Sequence, residues 1–118
     1  MVTSSTERLA RVRMRVGGVP EPARLVTAEC VTWGKPHPEP FLAGAKLLGF
    51  EAAECVVFED APPGIEAGRA AGCTVVATTF SLPAAELGAA NYIVADLTQV
   101  TVEPGASGMV LRLGQLAS

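Results

Sequence analysis

Apolar and polar positions fall into blocks along the chain, and the period inside each block predicts an element. Val2 to Ser5 form the tail of a strand, after which Leu9, Val12 and Val16 recur at i, i+3 and i+7 and predict a helix. Ser5 or Thr6 is placed to cap it, Arg8, Arg11 and Arg15 take its solvated side, and Gly17 and Gly18 end it. Val19 to Pro22 is a loop, Arg24 to Thr27 a short apolar strand, and Ala28 to Pro38 a polar, proline-rich loop. A second helix opens at Pro38 or Pro40, carries Phe41, Leu42, Ala45 and Leu48, and stops at Gly49. The unbroken apolar run Val56, Val57, Phe58 has the pattern of a strand buried on both faces, ending abruptly at Glu59 and Asp60. Ala61 to Gly64 predict a turn, Ile65 to Ala71 a small-residue helix capped by Gly72, and Thr74 to Thr78 the next β-branched strand. Further on, Pro83 to Leu87 suit a short helix, Tyr92 to Val94 a last core strand, and Thr101 to Gly108 a loop.

Strands that alternate with helices make βαβ units, so the fold class is α/β with a parallel sheet. At 118 residues one core is the limit, and residues 1–118 form a single domain. With 49% hydrophobic and 18% charged residues the chain is not of the disordered class. A net charge of −3 gives no general affinity for nucleic acid, so any bound anion needs a local site. The longest uncharged stretch, Ala70 to Ala85, is broken by Gly72 and Pro83 and is too short to span a membrane. Cys30, Cys55 and Cys73 are odd in number and far apart, which suggests neither a disulfide framework nor zinc. Together with the lack of an export signal before Glu7, they point to a reducing cytoplasm.

Open α/β sheets bind ligands at the carboxyl ends of their strands, where Ser4, the segment around Lys35, and Asp60 all fall. Adjacent carboxylates at Glu59 and Asp60 repel unless they are solvated or share a cation, and hard oxygens of this kind suit Mg²⁺; Asp60 equally suits a helix cap. Lys35, in the run GKPHPEPF, is either a presented ammonium or an ordinary solvated lysine. Ser4 pairs a hydroxyl with the free amides of a helix start, fit for an anion or for plain capping. His37, the only histidine, lies between prolines and belongs to a turn.

In order and spacing, the strand-end hydroxyl, the downstream GKP lysine, and the strand ending in ED before PPG and a helix resemble the second, third and fourth motifs of the haloacid dehalogenase-like (HAD) phosphohydrolases. VTAECVTWGKPHPEPFLAGAKLLG and VVFEDAPPGIEAGRAAGC look most like the sugar and polyol phosphatase branch, which includes β-phosphoglucomutase. The resemblance implies a three-layer Rossmann-like core, an aspartyl-phosphate mechanism, a Mg²⁺ cofactor and a small phosphorylated sugar or polyol as substrate. It makes Lys35 and Ser4 the catalytic residues in this chain, with Ser4, Ser5 and Lys35 binding phosphate and Asp60, with Glu59 beside it, binding the metal.

The sequence also departs from the family pattern. It holds no DxD motif, which in the family supplies the nucleophile at the end of the central strand, and no helical cap. The expectation is therefore an incomplete core, inactive alone, with two apolar strand edges facing a gap that invites self-association or a complementing N-terminal segment. The alternative is an inactive truncated module that keeps residual phosphate and Mg²⁺ binding or an interaction role.

Overall fold

Thr6 starts the first helix, its hydroxyl accepting the Leu9 amide, and Gly18 ends it in the left-handed conformation at φ 69°. In the computed structural model, which describes residues 1–106 and 108–114, this helix is α1 (Glu7–Gly17). Its inward side is Ala10 and Met14, not the expected Leu9, Val12 and Val16, which are all exposed. The two stripes share the helical period, and contact with the rest of the chain rather than hydrophobicity selected between them. Short as it is, α1 joins two segments that run parallel. The strands expected at Val2–Ser5 and Arg24–Thr27 reduce to one parallel bridge, Val2 with Val26.

Helix α2 (Glu39–Leu48) has a proline in its first turn and buries Pro40, Phe41 and Ala45, while Leu42 and Leu48 of the expected stripe stay about half exposed. Strand β1 (Val56–Glu59) follows, then helix α3 (Pro62–Ala71), strand β2 (Thr74–Thr78) and strand β3 (Tyr92–Val94). Helix α3 begins three residues earlier than Ile65, because Pro62 and Pro63 fit a first turn whose amides have no helical partner. The three strands form a parallel sheet in the order β1-β2-β3, with Val56 opposite Thr74 and Val76 opposite Tyr92.

One face of this sheet, made by Val57, Val75 and Ala77, packs with Phe41, Ile65 and Ala67 into the core. The other face is less well covered. Val56 and Phe58 are 37% and 40% exposed, so β1 is not the doubly buried strand its composition suggested. It pairs with β2 alone among the described residues, and an edge strand exposes what a central one would bury.

The segment expected as a loop at Thr101–Gly108 is instead part of an antiparallel hairpin, β4 (Val100–Gly105) and β5 (Gly108–Leu113). Glu103 and Pro104 hid the alternation, which the cross-strand ion pair of Glu103 with Arg112 now accounts for. The hairpin's Met109, Leu111 and Leu113 face Val56, Val76 and Tyr92 across a cavity of about 690 Å³. Between the Val2–Val26 bridge and β1 lies a second, apolar cleft of about 590 Å³, lined by Met1, Val26, Phe41, Val56 and Phe58. The expected gap is thus present, and the segments that flank it do not pair with each other.

Candidate functional site

A third cleft, about 760 Å³, opens at the carboxyl ends of the strands, and Ser4, Ser5, Lys35, Glu59 and Asp60 all line it. The loop that delivers Lys35 is fixed from behind. Glu39 accepts the backbone amides of Thr32 at 2.8 Å and Trp33 at 2.9 Å, and these two bonds hold its carboxyl below the usual carboxylate range. His37 sits in the turn as expected, its amide donating to Gly34 and its Nδ1 accepting the Glu39 amide. From that turn Lys35 reaches inward: Nζ is 2.5 Å from Glu59 Oε1 and 5.0 Å from the centroid of the Phe41 ring. Its side chain is 14% exposed, so it is no ordinary solvated lysine.

Glu59 is held where it is by Gly64. A Cβ at Gly64 would fall 2.1 Å from the Glu59 carboxyl carbon, so only glycine lets the carboxylate lie over the first turn of α3. There the free amides of a helix start favour a negative charge. Glu59 Oε2 also accepts the Asp60 amide at 3.3 Å. Asp60 does not cap the helix; Ala61 occupies that position without a side-chain bond. Its Oδ2 instead accepts the Ser81 hydroxyl at 2.6 Å.

On the opposite wall, Ser4 is exposed to the cleft and does not cap α1, a task taken by Thr6. The Ser5 hydroxyl accepts from Arg13 at 3.3 Å, which places a second cation within reach of that wall. Thr78, Phe80, Ser81, Asp96 and Arg13 escaped the sequence reading, though all but Arg13 end or follow β2 and β3. The rule that ligands gather at the carboxyl ends of parallel strands was signal enough to find them. Asp96 is held below the ordinary carboxylate range by the Thr98 hydroxyl and then the Thr98 amide, so it adds a fixed negative charge.

The donor set decides what this chain can hold. One Glu59 oxygen is taken by Lys35 and the other by the Asp60 amide, and one Asp60 oxygen is taken by the Ser81 hydroxyl. Among the described residues no three His, Cys, Asp or Glu side chains lie together as a metal site. Mg²⁺ wants near-octahedral oxygen and parts with water reluctantly, so these residues do not by themselves fit a Mg²⁺ centre. Three carboxylates against one ammonium give the cleft walls a formal charge of −2.

A family model for haloacid dehalogenase-like hydrolases matches residues 1–72. Hexitol phosphatase A of Escherichia coli strain K12 is 42% identical over 111 residues, which is 94% of this chain and 51% of that protein. Glycerol-1-phosphate phosphohydrolase 1 of Saccharomyces cerevisiae is 46% identical over 91 residues, 70% of this chain and 36% of that protein. Among solved structures, a β-phosphoglucomutase from Clostridium difficile aligns with a TM-score of 0.64 at 29% identity, covering 75% of this chain and 39% of its own. The chain thus spans about half, or less, of the length of the proteins it matches.

Proposed function

The chain belongs to the haloacid dehalogenase-like hydrolase family, and on that footing we propose that it supplies the phosphate-holding part of a phosphoric monoester hydrolase acting on a small sugar or polyol phosphate. The observation that carries this reading is the position of Lys35. A lysine drawn 2.5 Å from Glu59, beside Asp60 and across a cleft from Ser4, is a cation fixed where phosphate oxygens would lie. Phosphoryl transfer is largely positioning and charge stabilisation, and a fixed ammonium with a hydroxyl opposite supplies both. In this reading Lys35 neutralises the transferring group, Ser4 and Ser5 donate to its oxygens, and Glu59 holds the Lys35 ammonium in place. Asp60, oriented by Ser81, and Glu59 beside it would hold a Mg²⁺ ion only if further oxygen donors completed the site.

The negative walls of the cleft favour the same arrangement, since a phosphate dianion entering a site of formal charge −2 is repelled unless a cation accompanies it. The nucleophilic aspartate implied by the family resemblance is absent from these residues, so the covalent step belongs to a complementing segment. The apolar cleft between the Val2–Val26 bridge and the β1 edge supports this reading, as the place where such a segment would dock. The names of the relatives, hexitol and glycerol-1-phosphate hydrolases, support a polyol or sugar phosphate as substrate.

The test is reconstitution. Purified 118-residue chain with Mg²⁺ should release no phosphate from hexitol phosphates, glycerol phosphate or a chromogenic ester. Addition of the half of hexitol phosphatase A that this chain does not cover should restore release, and Lys35→Ala or Asp60→Asn in this chain should abolish it again. Turnover by the chain alone, or a stable complex of the two halves that is inactive, would refute the reading.

A further inference from the structure

The two cysteines that remain after Cys30 is set aside are brought together by the sheet register. Val56 faces Thr74 in the first rung of β1 and β2, and Cys55 and Cys73 each stand one residue ahead of that rung. The Thr74 amide donates to the Cys55 carbonyl at 3.2 Å, so the two chains already run side by side there. Neighbouring parallel strands are about 5 Å apart, inside the range of roughly 4.4–6.8 Å between Cα atoms that a disulfide spans. In a pleated sheet residues level with each other point to the same face, and both cysteines pack with Phe41 and Val57 in one apolar cluster. Both also line the open cleft beside β1. Cys30 lies in the short 3₁₀ turn Ala28–Cys30, outside the β1-β2-β3 sheet, and its Sγ bonds Thr27 instead.

We propose that Cys55 and Cys73 are a dithiol pair that a hydroperoxide closes to a disulfide, stapling β1 to β2 at the end of the sheet opposite the phosphate cleft. Cys55 reacts first, being part-exposed with its thiol donating only to the Glu51 carbonyl at 3.4 Å. Cys73 is buried, and burial, then the neighbouring Cys55, keep its thiol above the ordinary value, so it serves as the resolving partner. In the first step the Cys55 thiolate attacks the peroxide: an S–O bond forms, the O–O bond breaks, and the departing oxygen takes a proton and leaves as water or alcohol. In the second, the Cys73 sulfur attacks the Cys55 sulfenic sulfur: the S–S bond forms, the S–O bond breaks, and the hydroxide leaves as water with the Cys73 proton. The thiols lose two electrons and the peroxide gains two. The closed loop carries β1, Glu59, Asp60 and α3, so the staple ties down the element that presents the carboxylates.

Nothing in this pair depends on the phosphatase reading, and the test does not use activity. The folded chain is treated with hydrogen peroxide, quenched with an alkylating agent, digested without reductant and analysed by mass spectrometry. A peptide joining Cys55 to Cys73, two hydrogens lighter, should exceed any link through Cys30 by about tenfold and disappear on treatment with dithiothreitol. In concentrated urea, where loop lengths differ too little to choose strongly among the three pairings, that preference should vanish. Cys55→Ser should leave Cys73 reduced and alkylatable only after denaturation. Sulfinic acid at Cys55 as the main product, links through Cys30 in the folded chain, or an equal preference for the Cys55–Cys73 link in urea would each overturn the proposal.

Discussion

Glu59→Gln isolates the interaction on which the site rests. The replacement keeps the size of the side chain and one acceptor for Lys35, but it leaves an ammonium that is 14% exposed without the charge of its carboxylate partner. Removing one partner of a buried ion pair costs about 3–5 kcal/mol, whereas an exposed pair is worth less than about 1. Side-chain exposures of 14% and 11% place this pair near the buried limit, and the retained acceptor moves the expectation to the lower end, about 2–3 kcal/mol. Against a net stability of about 5–15 kcal/mol that is a large fraction. With a urea slope of about 1.5–2 kcal/mol/M the unfolding midpoint should fall by about 1–2 M. Lys35→Met should cost a similar amount by stranding Glu59, yet the double variant should lose less than either alone, because two neutral side chains leave no uncompensated charge. The resulting coupling energy of about 2 kcal/mol or more is read from a double-mutant cycle by urea unfolding. A shift under about 0.3 M for Glu59→Gln, or strictly additive variants, would show the pair to be solvated and Lys35 to be the plain surface lysine that its isolated sequence context allowed.

Four further outcomes follow from the same geometry. Gly64→Ala should dislodge Glu59, because the new Cβ would stand 2.1 Å from its carboxyl carbon; we expect a loss of about 1–3 kcal/mol by thermal unfolding together with the loss of any Lys35–Glu59 coupling in the cycle above. Mg²⁺ should bind the 118-residue chain only in the millimolar range or more weakly, as a rough estimate, and micromolar binding by titration calorimetry would contradict the incomplete donor set. Glu39, whose carboxyl is held down by the Thr32 amide first and the Trp33 amide next, contributes its clamp in full above the ordinary carboxylate range and loses it as the pH falls through the lowered value. The fluorescence of Trp33, the one tryptophan, should therefore change at a pH below that of a free glutamate, and Glu39→Gln should abolish the transition. Finally, the edge of β1, unpaired among the described residues, and the apolar cleft beside it should make the chain associate with itself or pack loosely; a monodisperse monomer by light scattering with strong amide protection in β1 and at Val26 would refute this.

Much of the site was legible before any coordinates because its parts obey local rules. A buried apolar run followed by carboxylates, a Gly-Lys-Pro turn, and a hydroxyl ahead of a helix each mark the carboxyl end of a strand, and the alternation of strands with helices places those ends on one rim. Ser4, Lys35, Glu59 and Asp60 do line one cleft. Where the reading slipped, the missing information was non-local. The buried side of α1 and the exposure of Val56 and Phe58 depend on which neighbour lies against them, and a sequence with two equally helical stripes does not say which one will be covered. The β4–β5 hairpin was hidden because a strand with Glu103 and Pro104 in it is stabilised by its partner, not by its own pattern.

The sequence by itself thus determined the α/β order and the parallel sense of the sheet, since these follow from periods of 3.6 and 2 and from the kinds of residue at each break, while the motifs and the missing DxD were legible only through the resemblance to a family. Only the tertiary structure decided who touches whom. It turned Lys35 from a lone loop residue into the partner of Glu59, gave Asp60 to Ser81 in place of the helix end, showed why position 64 must be glycine, and set Cys55 level with Cys73. Each of these joins residues from different elements, and their meeting depends on the packing of the whole chain, which no window along the sequence contains.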